Sequence, residues 1–160
     1  MGSVNGIPSD GKWFLAKGKT SMIRARPDLL PAALGAGLNE RVVVSWQCRN
    51  PLSSGLPSNT DYAEIKEFEA LIVRFLEEGA LLAFVLTAEG AVNMNFYTSD
   101  TGWFVERINE ALEDKPVQPI ELSTESDPDW SEYRAMLEAT GMSAATGGQA
   151  PDDHVGNNKD

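Results

Sequence analysis

Residues 81–87, LLAFVLT, constrain the fold of this chain more than any other stretch. Side chains on a strand alternate between two faces, and here both faces are apolar. Such a strand belongs inside a sheet that is covered on both sides. The longest apolar run, Ala80 to Leu86, is far below the ~20 residues a membrane-spanning helix needs.

Two amphipathic segments can supply the cover. Ile65, Phe68, Leu71, Ile72, Phe75 and Leu76 repeat at helical spacing and form one apolar stripe. Ser58, Asn59, Thr60 and Asp61 are all competent N-terminal caps, and Gly79 is a C-terminal stop. A second helix is expected from Ser99 or Asp100, with Phe104, Ile108, Ala111 and Leu112 inside and Pro116 at its end. The remaining strands are legible by composition. RVVVSWQCR, Arg41 to Arg49, is rich in β-branched residues, and Val42, Val44, Trp46 and Cys48 share one of its faces. Cys48 is therefore expected as a small apolar core residue. Glu89-Gly90 turns the chain into Val92–Thr98, where apolar and polar residues alternate. Val117–Ser123 is a last strand, and Pro119 suits an edge, where a missing N–H is tolerated.

From Arg41 the order is β-α-β-β-α-β. It predicts an α+β fold of the ferredoxin-like kind, with an antiparallel sheet and both helices on one face. Trp13–Ala16, a Lys17-Gly18-Lys19 turn and Thr20–Arg26 read as an N-terminal β-hairpin that extends the sheet. A C-terminal third helix, within DPDWSEYRAML (127–137), closes an edge or the far face. The expected organisation is a flexible N-terminus over 1–11, a single domain over 12–140 and a disordered tail over 141–160.

The residue inventory narrows the chemistry. Cys48 and His154 are the sole cysteine and histidine, and His154 lies in the tail. A zinc site normally draws on several such ligands, and a Ser-His or Cys-His nucleophile pair needs a held histidine. No Gly-rich phosphate loop occurs. The expectation is no metal, no cofactor and no catalytic residue. The N-terminus MGSVNGIPSDGKW lacks a hydrophobic segment, so a cytoplasmic location is expected. Residues 1–49 hold seven bases and three acids; the remainder holds six bases and twenty-one acids, a formal charge of −15. That surface serves solubility, and it also suits a basic protein partner. Direct nucleic-acid binding is disfavoured, because phosphate meets a mostly negative surface.

Two groups of residues merit a functional reading. Ser45, Gln47, Asn93, Asn95 and Tyr97 fall on the polar faces of two strands, and they form one patch if those strands pair. Amides and hydroxyls on a flat sheet can hold a peptide or a small polar ligand. The other group is the closing motif. Asp127 can cap the third helix, with Pro128 at its first position. Trp130, Tyr133 and Leu137 then share a docking face. A catalytic reading of Asp127, Asp129 and Glu132 runs against the helix dipole, which favours charged carboxylates rather than a raised pKa.

The Trp13 hairpin, Gly55-Leu56-Pro57 before the first helix, Phe96-Tyr97-Thr98 and DPDWSEYRAML together resemble the bacterial domain-of-unknown-function family numbered 695. The resemblance runs from Trp13 to Leu137, and the closing motif is its most specific part. It implies a fold and carries no catalytic residues. The chain is also loosely similar to the protein inhibitors of ribonuclease E (regulator B), acidic ferredoxin-like proteins that act by binding another protein. Two functions are therefore expected as competitors. The first is a non-enzymatic interaction protein that binds and modulates a partner such as a nuclease or toxin. The second is a small-ligand-binding domain or weak hydrolase using Asp/Glu, Asn and Tyr. A homodimer through exposed edges or faces is compatible with either.

Overall fold

The computed structural model describes residues 3–4, 7–8, 13–27, 29 and 36–141. The expected tail, most of the expected N-terminal segment and much of the loop after Pro27 lie outside these residues. The described elements are β1 (Phe14–Lys17), β2 (Ser21–Ala25), β3 (Glu40–Gln47), α1 (Asn59–Leu76), β4 (Ala80–Ala88), β5 (Ala91–Thr98), α2 (Thr101–Leu112), β6 (Ile120–Ser126) and α3 (Ser131–Ala139). Residues 3–4 pair separately with 7–8. The fold is mixed α+β: three α-helices among the described residues and a six-stranded antiparallel sheet of order β1-β2-β4-β5-β3-β6.

The sheet is held by alternation and by turn chemistry. Val42, Val44 and Trp46 of β3 are buried against the α1 and α2 stripes, where Ile65, Phe68, Ile72, Leu76, Phe104 and Ile108 meet them. Trp46 packs on Phe68 at 5.0 Å, and Phe96 meets Phe104 edge-on at 5.2 Å. Cys48 is half-buried at the margin of this layer. Burial pushes its thiol pKa up, and the Asp61 carboxylate adds to the shift. Ser58 caps α1 through the Asp61 N–H. The buried Asp61 carboxylate accepts from the Arg49 and Asn50 N–H groups, which ties the β3–α1 loop to the helix start. Asp100 caps α2. Close approach explains Gly79, where a Cβ would stand 2.7 Å from the Trp103 ring.

β4 and β5 turn through Glu89 and Gly90, both at positive φ (54° and 80°), as a two-residue hairpin that follows the sheet twist requires. Gly55, φ 91°, lies against that turn, and its carbonyl accepts the Gly90 N–H at 2.8 Å. This contact gives the Gly-Leu-Pro motif its structural role.

Strand β4 is interior, between β2 and β5. Its pairing with β5 shifts register between Leu82 and Phe84. The irregularity puts consecutive residues Ala83 and Phe84 into the same apolar layer, opposite the α1/α2 side. The hairpin β1–β2 joins the sheet through β2 and β4, with Ser21 opposite Ala88.

Two expected boundaries are corrected. The last strand begins at Ile120 rather than Val117: before it, the Gln118 carbonyl accepts the Ile120 N–H at 2.9 Å in a local turn. The third helix begins at Ser131, so Pro128 is not its first residue. Pro128 lies in a turn closed by the Trp130 N–H on the Asp127 carbonyl at 3.0 Å, where proline's fixed φ suits the second position. Trp130, at φ 57° and ψ 44°, then swings the chain into α3.

Candidate functional site

The sheet face away from α1 and α2 is best described by rows of residues that lie opposite one another. One row runs Ile23, Leu86, Asn93, Ser45, Glu121 across five strands. The next runs Ala25, Phe84, Asn95, Val43, Ser123. A third runs Leu81, Tyr97, Arg41, Glu125.

The packing of α3 divides these rows. Trp130 stacks on Tyr97 with 3.7 Å between ring centroids and 14° between planes. Its indole N–H donates to the Leu38 carbonyl at 2.8 Å. Tyr133 is fully buried, and its hydroxyl donates to the Arg26 carbonyl and accepts the Leu29 N–H at 3.3 Å. Leu137 and Met136 complete the contact. The third row and the Ala25–Phe84 end of the second thus lie under or beside α3. The first row remains open: Ser45 and Asn93 are half-buried, Glu121 is exposed and Leu86 is 36% exposed.

Asp127 is the centre of the covered end. Its carboxylate accepts from the Tyr97 hydroxyl at 2.8 Å, the Ser131 N–H at 2.7 Å and the Glu132 N–H at 3.2 Å. The Arg41 guanidinium stands 4.0 Å away. Asp127 therefore holds the α3 start from four residues upstream, outside the usual cap position, while Trp130 makes no side-chain cap bond. Burial raises the Tyr97 hydroxyl pKa, and the bond to Asp127 and its negative charge raise it further; Arg41 opposes them. A phenol held neutral as a donor to a buried carboxylate is a structural lock. An acid–base residue needs an open lone pair within reach of a substrate, and each bond here points into the protein.

The expected polar patch divides accordingly. Ser45, Gln47 and Asn93 share the open part, with the Gln47 amide donating to the Ser45 hydroxyl at 3.2 Å. Asn95 is buried, accepts from Arg41 at 2.7 Å and donates to the Asn93 carbonyl at 3.2 Å. Tyr97 lies beneath Trp130. Arg41 also pairs with Glu125. Sequence reasoning missed Arg41 as the residue joining the patch to the closing motif. Its place on the same strand face as Ser45 and Gln47, beside Tyr97 once β5 is paired, was the available signal.

A second concavity lies on the other side of the sheet. α1 and the β1–β2 extension enclose a cleft of about 490 Å³, lined by Leu15, Met22, Tyr62, Val73 and Val85. Arg24 crosses it to Glu69 through two hydrogen bonds, 2.5 and 3.1 Å, with its guanidinium over Trp13. Lys66 stands at the same cleft. Among the described residues no three Asp, Glu, His or Cys side chains converge as a metal site, and no helix is long and apolar enough to cross a membrane.

The sequence model of a family of unknown function, DUF695, matches residues 15–138. The chain belongs to this family. No curated protein matches it. The matched span takes in the hairpin, the Gly55 contact, the Tyr97 row and nearly all of α3, so the family's shared sequence coincides with the two-layered sheet described above.

Proposed function

We propose that the domain is a non-enzymatic, cytoplasmic interaction module of ferredoxin-like topology, which binds a basic protein partner through the open rows of its sheet. The observation that carries this reading is the row Ile23–Leu86–Asn93–Ser45–Glu121, a flat, half-exposed strip that α3 leaves uncovered. Flat strips of mixed apolar and amide character suit protein partners, whereas small molecules prefer concave pockets. The strand order β6-β3-β5-β4 around the two helical crossovers supports the ferredoxin-like assignment. The −15 charge of residues 50–160 supports a basic partner, and the loose likeness to ribonuclease E inhibitors favours a nuclease or a toxin.

The test is affinity capture from the native host at low ionic strength. A basic protein released as salt rises is expected, because screening shortens the reach of surface charge. A capture that retains no protein at low salt contradicts the proposal.

The α1/β2 cleft favours a second reading, a small-ligand site. Its volume falls in the range of ligand pockets, roughly 300–1,000 Å³. Lys66 offers a cation to an anionic headgroup, while Glu69 is engaged by Arg24 and leaves no free carboxylate for hydrolysis there. Filling the cleft from its exposed α1 wall with Ala70→Trp should abolish ligand binding under this reading, and should leave partner capture intact under the first.

A further inference from the structure

We propose that the outer edge of β6 is a strand-addition site for an extended basic segment of the partner. The inference rests on the partner-binding reading and gives it an address and a mode. The Gln47 N–H donates to the Pro119 carbonyl at 2.8 Å, and the Asp127 N–H donates to the Asn39 carbonyl at 2.8 Å. Both bonds obey the β3–β6 register, in which Ser45 faces Glu121 and Arg41 faces Glu125. Bonded pairs alternate along an antiparallel ladder. Residues 121, 123 and 125 therefore bond to β3, and Leu122, Thr124 and Ser126 turn their N–H and C=O groups outward. Nothing among the described residues pairs with that edge.

Natural sheets usually protect such an edge with proline, lysine or a bulge. β6 has a regular seven-residue register, and its only proline neighbour, Pro119, precedes it. Its protection is acidic. Glu121 is exposed in the open row and has no ion pair among the described residues, and Glu125, exposed beside α3, is engaged on one side by Arg41.

That charge decides the occupant. Full overlap of two β6 strands about a two-fold axis places Glu121 of one copy opposite Glu125 of the other, and like charges directly opposite destabilise a strand pair. A strand with lysine or arginine at alternate positions meets the same glutamates favourably. Its intervening side chains fall beside Ile120 and Leu122, which are partly buried at the margin of the α1/α2 core. Backbone bonds supply affinity and alternate side chains supply specificity in this mode of recognition. The strip of Ser45 and Asn93 then lies two and three strands in from the added strand.

The probe is a nine-residue peptide of alternating lysine and valine, followed by fluorescence anisotropy at low ionic strength. The control peptide has the same sequence, with the edge-facing amides N-methylated. Thr124→Pro removes an outward N–H and none of the β3 bonds; proline is tolerated on that side of an edge strand. We expect about tenfold weaker binding for Thr124→Pro and for the methylated peptide, the scale of one or two lost hydrogen bonds. Glu121→Lys should also weaken binding. The methylated peptide needs no variant, so the proposal stays testable if Thr124→Pro fails to fold. Equal binding of both peptides, or no binding of either, overturns the edge assignment. Self-association of the wild type that Thr124→Pro abolishes also overturns it, since the edge then belongs to a second copy. None of these results removes a partner captured from the host, so failure of the edge remains distinct from failure of partner binding.

Discussion

The two faces of the sheet are held together by different physics. On the α1/α2 side, Val42, Val44, Trp46, Ile72, Phe96 and Phe104 bury apolar surface with little directional bonding. On the α3 side, Tyr97, Trp130 and Tyr133 are equally buried, but each also carries a named hydrogen bond, and Asp127 collects three. The first face resists through area and volume. The second resists through a few bonds that fix where α3 sits, and therefore how much of the sheet stays open. Aspartate, arginine and tyrosine in one cluster look like catalytic machinery, yet here they set the boundary between covered and open sheet.

The largest expected effect lies on the first face. Phe104→Ala removes a fully buried ring and should cost about 3–5 kcal/mol in chemical unfolding. Asp127→Ala comes next. It leaves a buried tyrosine hydroxyl and two helix-start N–H groups without their acceptor, and a loss of about 3 kcal/mol is expected. A loss below about 0.5 kcal/mol, the range of ordinary surface substitutions, would erase the distinction between the faces.

Tyr97→Phe is smaller, about 1–2 kcal/mol, because stacking on Trp130 survives. It also has a pH signature. The Tyr97 pKa is raised in the fold, so the stability this hydroxyl contributes is whole below the ordinary tyrosine value of about 10 and is lost as pH rises above it. Unfolding curves of the wild type should weaken on the alkaline side more steeply than those of Tyr97→Phe. Identical alkaline limbs would mean that the hydroxyl is not held neutral.

Legibility in the sequence followed the same division. The α1 and α2 stripes announce themselves by period, so the first face could be read from Ile65 to Leu112. Capping by Ser58 and Asp100 follows from local chemistry. The docking of Trp130, Tyr133 and Leu137 was visible as helical spacing, although the helix starts later than expected because Trp130 takes a left-handed conformation that tertiary stacking enforces. The Tyr97–Asp127–Arg41 arrangement was not legible, because it depends on how β3 registers with β5 and β6, which no alternation pattern encodes. For the same reason the polar patch could be named but not divided. Only the register shows that Asn93 faces Ser45 in the open row, while Asn95 and Tyr97 are drawn toward Arg41 and α3.

The smallest effect on stability is also the most direct test of the account. Ser45→Arg with Asn93→Arg places two cations in the open row, where neither side chain supports the core. The two cations face each other across β3 and β5, a like-charge pair that costs up to about 1 kcal/mol, so the unfolding free energy should stay within about 1 kcal/mol of the wild type, while capture of the basic partner at low salt should be lost. Undiminished capture by this double variant, with the fold retained, would contradict the claim that the strip left open by α3 is the recognition surface.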